Sequence, residues 1–157
     1  MQRKTVTNRP GRVALVVFLA TTAMLLPHPF RAQDGPKKET FKARLSPGPI
    51  DLSMMATIAG SGSLTATLSG KQLTIQGTFA GLRSPATTAQ IHRAPKGIPG
   101  PVIAGLDLSV TKADKGEISG TLELTPDQIA DLKSERLYVQ IQSERAPDGN
   151  LWGWLLP

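Results

Sequence analysis

The stretch SLTATLSGKQLTIQGTF, residues 63–79, decides the fold class. Leu64, Ala66 and Leu68 alternate with polar residues, and so do Leu73, Ile75, Gly77 and Phe79. A period of two puts each set on one face of an extended strand. Between the runs stand only Ser69, Gly70 and Lys71, a tight glycine-bearing turn. Two such runs joined in this way make a β-hairpin. The intervening threonines suit its outer face, because β-branched side chains pack well on a pleated surface.

The pattern extends outward in both directions. Upstream, FKARL (41–45) alternates and SPGP (46–49) stops it. Residues 50–58, with Met54 and Met55, have no clean period and read as an irregular crossing. Downstream come a strand at 87–92, a Gly/Pro-rich loop at 94–101, and an apolar run at 102–110 with a break at Gly105. After a turn at 112–116, residues 117–124 alternate again. Thr125, Pro126, Asp127 and Gln128 supply an N-cap, a proline at the first helical position, an acid near the positive helix end and a capping-box glutamine. They predict one short helix that ends by 134–135, with Ile129 and Leu132 on its apolar side. LYVQIQS (137–143) is a strand, APDG (146–149) a turn and LWGWL (151–155) the closing strand. Short strands with Gly/Pro turns and one helix predict an all-β fold. The expected architecture is an antiparallel β-sandwich or barrel, Ig-like or superoxide-dismutase-like.

The first 32 residues read as a separate segment. Arg3, Lys4, Arg9 and Arg12 precede an apolar run, VALVVFLATTAMLL (13–26), then prolines and Ala32. This is the layout of a secretory signal peptide, with a cut after Ala32 and a polar linker over 33–40. An uncleaved anchor is the alternative, although the run is short of the roughly 20 residues of a spanning helix. The domain then covers 41–157, and the place of action is secreted or periplasmic. The formal charge of +6 belongs mostly to the leader, since the remainder carries thirteen bases against twelve acids. The basic residues past the cut are scattered among acids, so no nucleic-acid surface is expected, nor membrane contact beyond the leader. The absence of cysteine excludes disulfides, thiolate metal sites and cysteine nucleophiles.

Candidate chemistry narrows to a few side chains. His92 is the only histidine past the leader, and it stands at the edge of the Gly/Pro loop. It reads as a metal ligand, as a polar residue hydrogen-bonded to that loop, or as part of an unspecified binding site. The loop hydrogen bond is preferred, since a metal needs three or four ligands. No G-x-S-x-G elbow, phosphate loop or dinucleotide fingerprint occurs. Trp152 and Trp154 share one face of the last strand. They form either a binding platform for carbohydrate or a hydrophobic partner, or a cover over one end of the core.

The order of these pieces resembles the chordin-type (CHRD) domain. The resemblance rests on FKARL (41–45), GSLTA (62–66), LTIQG (73–77), AGL (80–82), AQIH (89–92) with 97–102, LYVQIQ (137–142), PDG (147–149) and LWGWL (151–155). It implies a cluster of three histidine positions, an H-x-H pair and one in the penultimate strand. Here those positions hold Gln90, His92 and Gln142, and two amides make a poor ligand set for zinc or copper. The family's E-I-R-G pattern is also altered, with Asn150 for its Glu and Trp152 for its Arg. The expected function is an exported, non-catalytic CHRD-like domain with a structural or protein-interaction role, without cofactor. Its partner is an unidentified extracellular or periplasmic protein. Candidate binding residues are His92, Gln90, Gln142, Trp152 and Trp154. The alternative is a zinc- or copper-binding or redox-related domain centred on His92.

Overall fold

The computed structural model describes residues 37–48 and 52–157. The expected leader lies outside the described residues. Among the described residues eight strands run β1 (Lys38–Leu45), β2 (Ser61–Ser69), β3 (Gln72–Ala80), β4 (Ala86–Arg93), β5 (Val102–Val110), β6 (Gly116–Glu123), β7 (Leu137–Ser143) and β8 (Ala146–Trp154). One helix, α1 (Pro126–Lys133), lies between β6 and β7. β1 begins three residues ahead of the run expected from the sequence, because Lys38, Glu39 and Thr40 continue the ladder onto β2.

The strands form one antiparallel sheet in the order β1-β2-β3-β6-β5-β4-β7-β8. The chain passes over β6 and β5 between β3 and β4, and over β5 and β4 between β6 and β7. These are Greek-key crossings. The first and last strands then meet. Lys42 and Leu156 exchange backbone hydrogen bonds of 2.7 and 2.9 Å, and Ser46 and Trp152 exchange bonds of 3.1 and 2.9 Å. The choice between sandwich and barrel thus resolves to a closed barrel, which removes the free sheet edges.

The inward halves of the alternating strands fill its interior. Leu45, Ala66, Leu73, Ile75, Ile91, Val139, Ile141 and Leu151 have no exposed surface. Burying a side chain of this kind contributes about 1.5–3 kcal/mol. A second, smaller cluster lies on the other side of β7 and β8. Ala94, Tyr138 and Trp152 are buried there, with Met54 and Trp154 packed against them. The described part of the segment expected as an irregular crossing, residues 52–58, supplies this cover through Met54, with a 3-10 turn at Leu52–Met54, and just beyond it the Ala59 N–H donates to Asn150 Oδ1 (3.1 Å). β7 is consequently buried on both faces.

Two irregularities shape the region around His92. The pairing of β4 with β5 shifts between Gln90 and His92, and Gly105 lies in the excess length at φ +79°. β8 differs from the expected 146–149 turn. Its pairing with β7 shifts between Ile141 and Ser143, so Pro147–Gly149 bulges within a strand that already starts at Ala146. The turn chemistry is used, but as a bulge. At the other end, α1 has the expected capping box. Thr125 Oγ1 accepts from the Gln128 N–H (3.3 Å) and Gln128 Oε1 from the Thr125 N–H (2.8 Å). Leu132 docks the helix on the core. Asp131 receives Arg93 at 2.7 Å and the Ala94 N–H donates to Arg136 O (2.9 Å), which fixes the base of the 94–101 loop. Among the described residues no helix is long and apolar enough to cross a membrane.

Candidate functional site

Strand register assembles the site. His92 on β4 pairs with Tyr138 on β7, and Tyr138 pairs with Trp154 on β8. All three rings point away from the barrel interior, because their strand neighbours Ile91, Val139 and Leu155 point into it. They stack in a row. The His92 and Tyr138 centroids are 5.1 Å apart, with planes 26° from parallel. Those of Tyr138 and Trp154 are 4.7 Å apart at 32°. Aromatic pairs of this kind stabilise by about 0.5–1.5 kcal/mol beyond their burial.

The Gly/Pro loop locks onto this row through Gly100. Its N–H donates to the Tyr138 hydroxyl (2.9 Å), and its carbonyl accepts from that hydroxyl (3.1 Å). The same carbonyl lies 2.9 Å from His92 Nδ1. A carbonyl only accepts, so Nδ1 carries the proton and the neutral ring leaves Nε2 as an acceptor. Nε2 is buried without a hydrogen-bond partner among the described residues. Only glycine fits at position 100, since a Cβ there would collide with Arg93 O and stand 2.7 Å from the Ala94 Cβ. The Trp154 indole N–H reaches Ala94 O (3.3 Å), so both ends of the loop are tied to the rings. Burial pushes the Tyr138 hydroxyl above its ordinary pKa of 10.0, opposed in part by the hydrogen bond with Gly100.

The five candidate residues divide. His92, Trp152 and Trp154 belong to one region around Tyr138. Gln90 lies opposite Gln140, and Gln142 lies opposite Thr88. Gln142 is therefore four positions along β7 from Tyr138, about 13 Å from the level of His92. Gln90 Nε2 donates to Asp107 Oδ1 (2.8 Å) and Gln142 bonds Thr88, so neither amide turns toward the imidazole. Among the described residues no three His, Cys, Asp or Glu side chains come together to hold a metal. His92 supplies a single imidazole, one nitrogen of which is committed to a backbone carbonyl.

The two tryptophans also separate. Trp152 is buried, at 6% exposure. A Cβ on Gly48 would stand 2.7 Å from its ring, and one on Gly149 would collide with it. It is a packing residue, with an indole nitrogen that has no hydrogen-bond partner among the described residues. Trp154 is half-buried and borders a cleft of about 300 Å³ shared with Arg44, Ser46, Gly48, Lys96, Trp152 and Leu156. A larger groove, about 750 Å³, runs between Arg44, Ser63, Thr78, Lys115 and Glu117. It has both charge signs and no buried polar group, so the smaller cleft has the more specific chemistry. Tyr138 is a site residue that the sequence does not single out, since alternation makes it one more position on the polar side of its strand, and the register that sets it between His92 and Trp154 joins strands distant in the chain.

A family model for the CHRD domain matches residues 41–155. The chain belongs to the CHRD domain family. The match takes in all eight strands apart from the first residues of β1, together with the ring row, the Gly100 loop and the bulge of β8. Within this CHRD domain His92 holds its loop from the end of β4. No curated protein and no solved structure matches the chain.

Proposed function

We propose that this CHRD domain works as a non-catalytic protein-interaction module outside the cytoplasm, exported by its first 32 residues. The observation that carries this reading is where the exposed apolar side chains lie. Among the described residues the large ones are Leu52, Met55, Ile98 and Val102. Leu52 and Met55 lie on the segment that covers the small cluster through Met54, and Ile98 and Val102 lie on and beside the loop that starts at Ala94 of the same cluster. Apolar residues concentrated on two loops around a rigid base suit a docking surface. A non-catalytic role suits His92, whose Nδ1 is held by a backbone carbonyl and whose Nε2 has no hydrogen-bonded nucleophile among the described residues.

The test is capture from the envelope fraction with the protein and its Met55→Asp/Ile98→Asp variant. The expected result is a partner retained by the unchanged protein and lost from the variant, at equal melting temperatures. Retention by the variant would refute the surface. Export is checked in the same preparation by N-terminal sequencing, with Gln33 expected as the first residue.

A further inference from the structure

We propose that the cleft at the barrel seam binds an acidic saccharide, with a uronate ring on Trp154 and its carboxylate between Arg44 and Lys96. The seam pairs Lys42 with Leu156 and Ser46 with Trp152, so the position facing Trp154 midway between them is Arg44. Side chains directly opposite on antiparallel strands are about 4.5–5.5 Å apart at Cβ. Arg44 and Trp154 thus line the same cleft from facing strands. Lys96 reaches the same cleft from the 94–101 loop, two residues after the carbonyl that holds the Trp154 indole.

The ligand class follows from three properties of this place. One side of Trp154 rests on Tyr138 and its N–H is bonded to Ala94 O, so the ring is pre-oriented and binding loses little rotamer entropy on it. A fixed indole face suits the flat C–H face of a pyranose. Arg44 and Lys96 are both exposed, neither is paired in a salt bridge among the described residues, and no described carboxylate lines the cleft. Two cations with no carboxylate beside them among the described residues favour an anion, and a guanidinium fits a carboxylate in particular. A peptide strand is disfavoured, because the seam backbone is already paired and offers no edge for strand addition.

The experiment titrates the full chain with trigalacturonate and follows tryptophan fluorescence. A saturable change is expected, weakened about tenfold or more in Lys96→Ala and in Arg44→Ala. Fully methyl-esterified trigalacturonate, with the same rings and no charge, should bind at least about tenfold more weakly. Both variants change exposed side chains, and far-UV circular dichroism verifies that they fold. No saturable change, equal affinity for the ester, or undiminished binding by both variants overturns the proposal. Equal or tighter binding of a tetra-aspartate peptide also overturns it, in favour of an acidic peptide. The residues are distinct from Met55 and Ile98, so this proposal fails or stands apart from the docking surface.

Discussion

Tyr138 is the side chain on which the outer face of the barrel depends. Its hydroxyl both accepts from and donates to Gly100, and its ring lies between two others. In Tyr138→Phe the rings still stack, but the Gly100 N–H loses its acceptor. The expected loss is about 1–2 kcal/mol in urea unfolding near neutral pH. The variant also changes the alkaline limb. Burial raises the folded-state pKa above the unfolded value of 10.0, so the neutral hydroxyl stabilises the fold. That contribution is complete below pH 10 and falls as pH rises through the folded pKa. The unchanged protein should lose stability more steeply above pH 10 than Tyr138→Phe, and equal slopes would contradict the assignment. The His92 contact with the Gly/Pro loop was legible, because a polar ring two residues before a rigid loop has few other partners. The role of Tyr138 was not, since it depends on a register that no local pattern states.

Elements differ in how much of themselves they declare. α1 is written out locally, with cap, proline and capping-box glutamine within four residues, and it forms where the sequence placed it. β8 is not. Ala146, Pro147, Asp148 and Gly149 spell a turn, yet the strand runs through them as a bulge because distant groups hold it. Gln140 Nε2 donates to Asp148 O (2.8 Å), and Trp152 packs against Gly149, whose φ is +129°. Gly149→Ala meets both obstacles, a backbone region that L-residues avoid and a Cβ 2.7 Å from Gln140 Nε2. A destabilisation of about 1–3 kcal/mol is expected by chemical denaturation, with the hairpin β7–β8 showing the greatest rise in hydrogen exchange. A change confined to α1 or to β2–β3 would argue against this account of the bulge.

At the scale of the whole domain, alternation in the strands made the all-β class readable, while the closure of the barrel was not. The seam joins Lys42 to Leu156, residues over a hundred positions apart, and periodicity has nothing to say about such a pairing. The three-histidine arrangement implied by family resemblance also resolves only at this scale, where register sends Gln90 to Asp107 and Gln142 to Thr88. Leu45 tests the closure. It is fully buried, and a Cβ on Gly62 or Gly153 would lie 3.0 or 2.9 Å from its methyl groups, so it packs between β2 and β8. Leu45→Ala should cost about 2–5 kcal/mol. Fluorescence and circular dichroism transitions should still coincide if the barrel unfolds as one unit. Separate transitions would mean that the seam is a later, independent event.

That seam also sets a timetable. Within this domain β1 is made before every other strand and its partner at 152–156 after them, so one sheet edge stays open until the end of the domain has been made. An open edge is a template for pairing with other chains. β1 presents Lys38, Lys42 and Arg44 along its exposed side, and like charges arriving on a second copy would repel it. Three cations on the opening strand thus suit a gatekeeping role for an unfinished barrel, a role that ends once residues 152–156 pair with it.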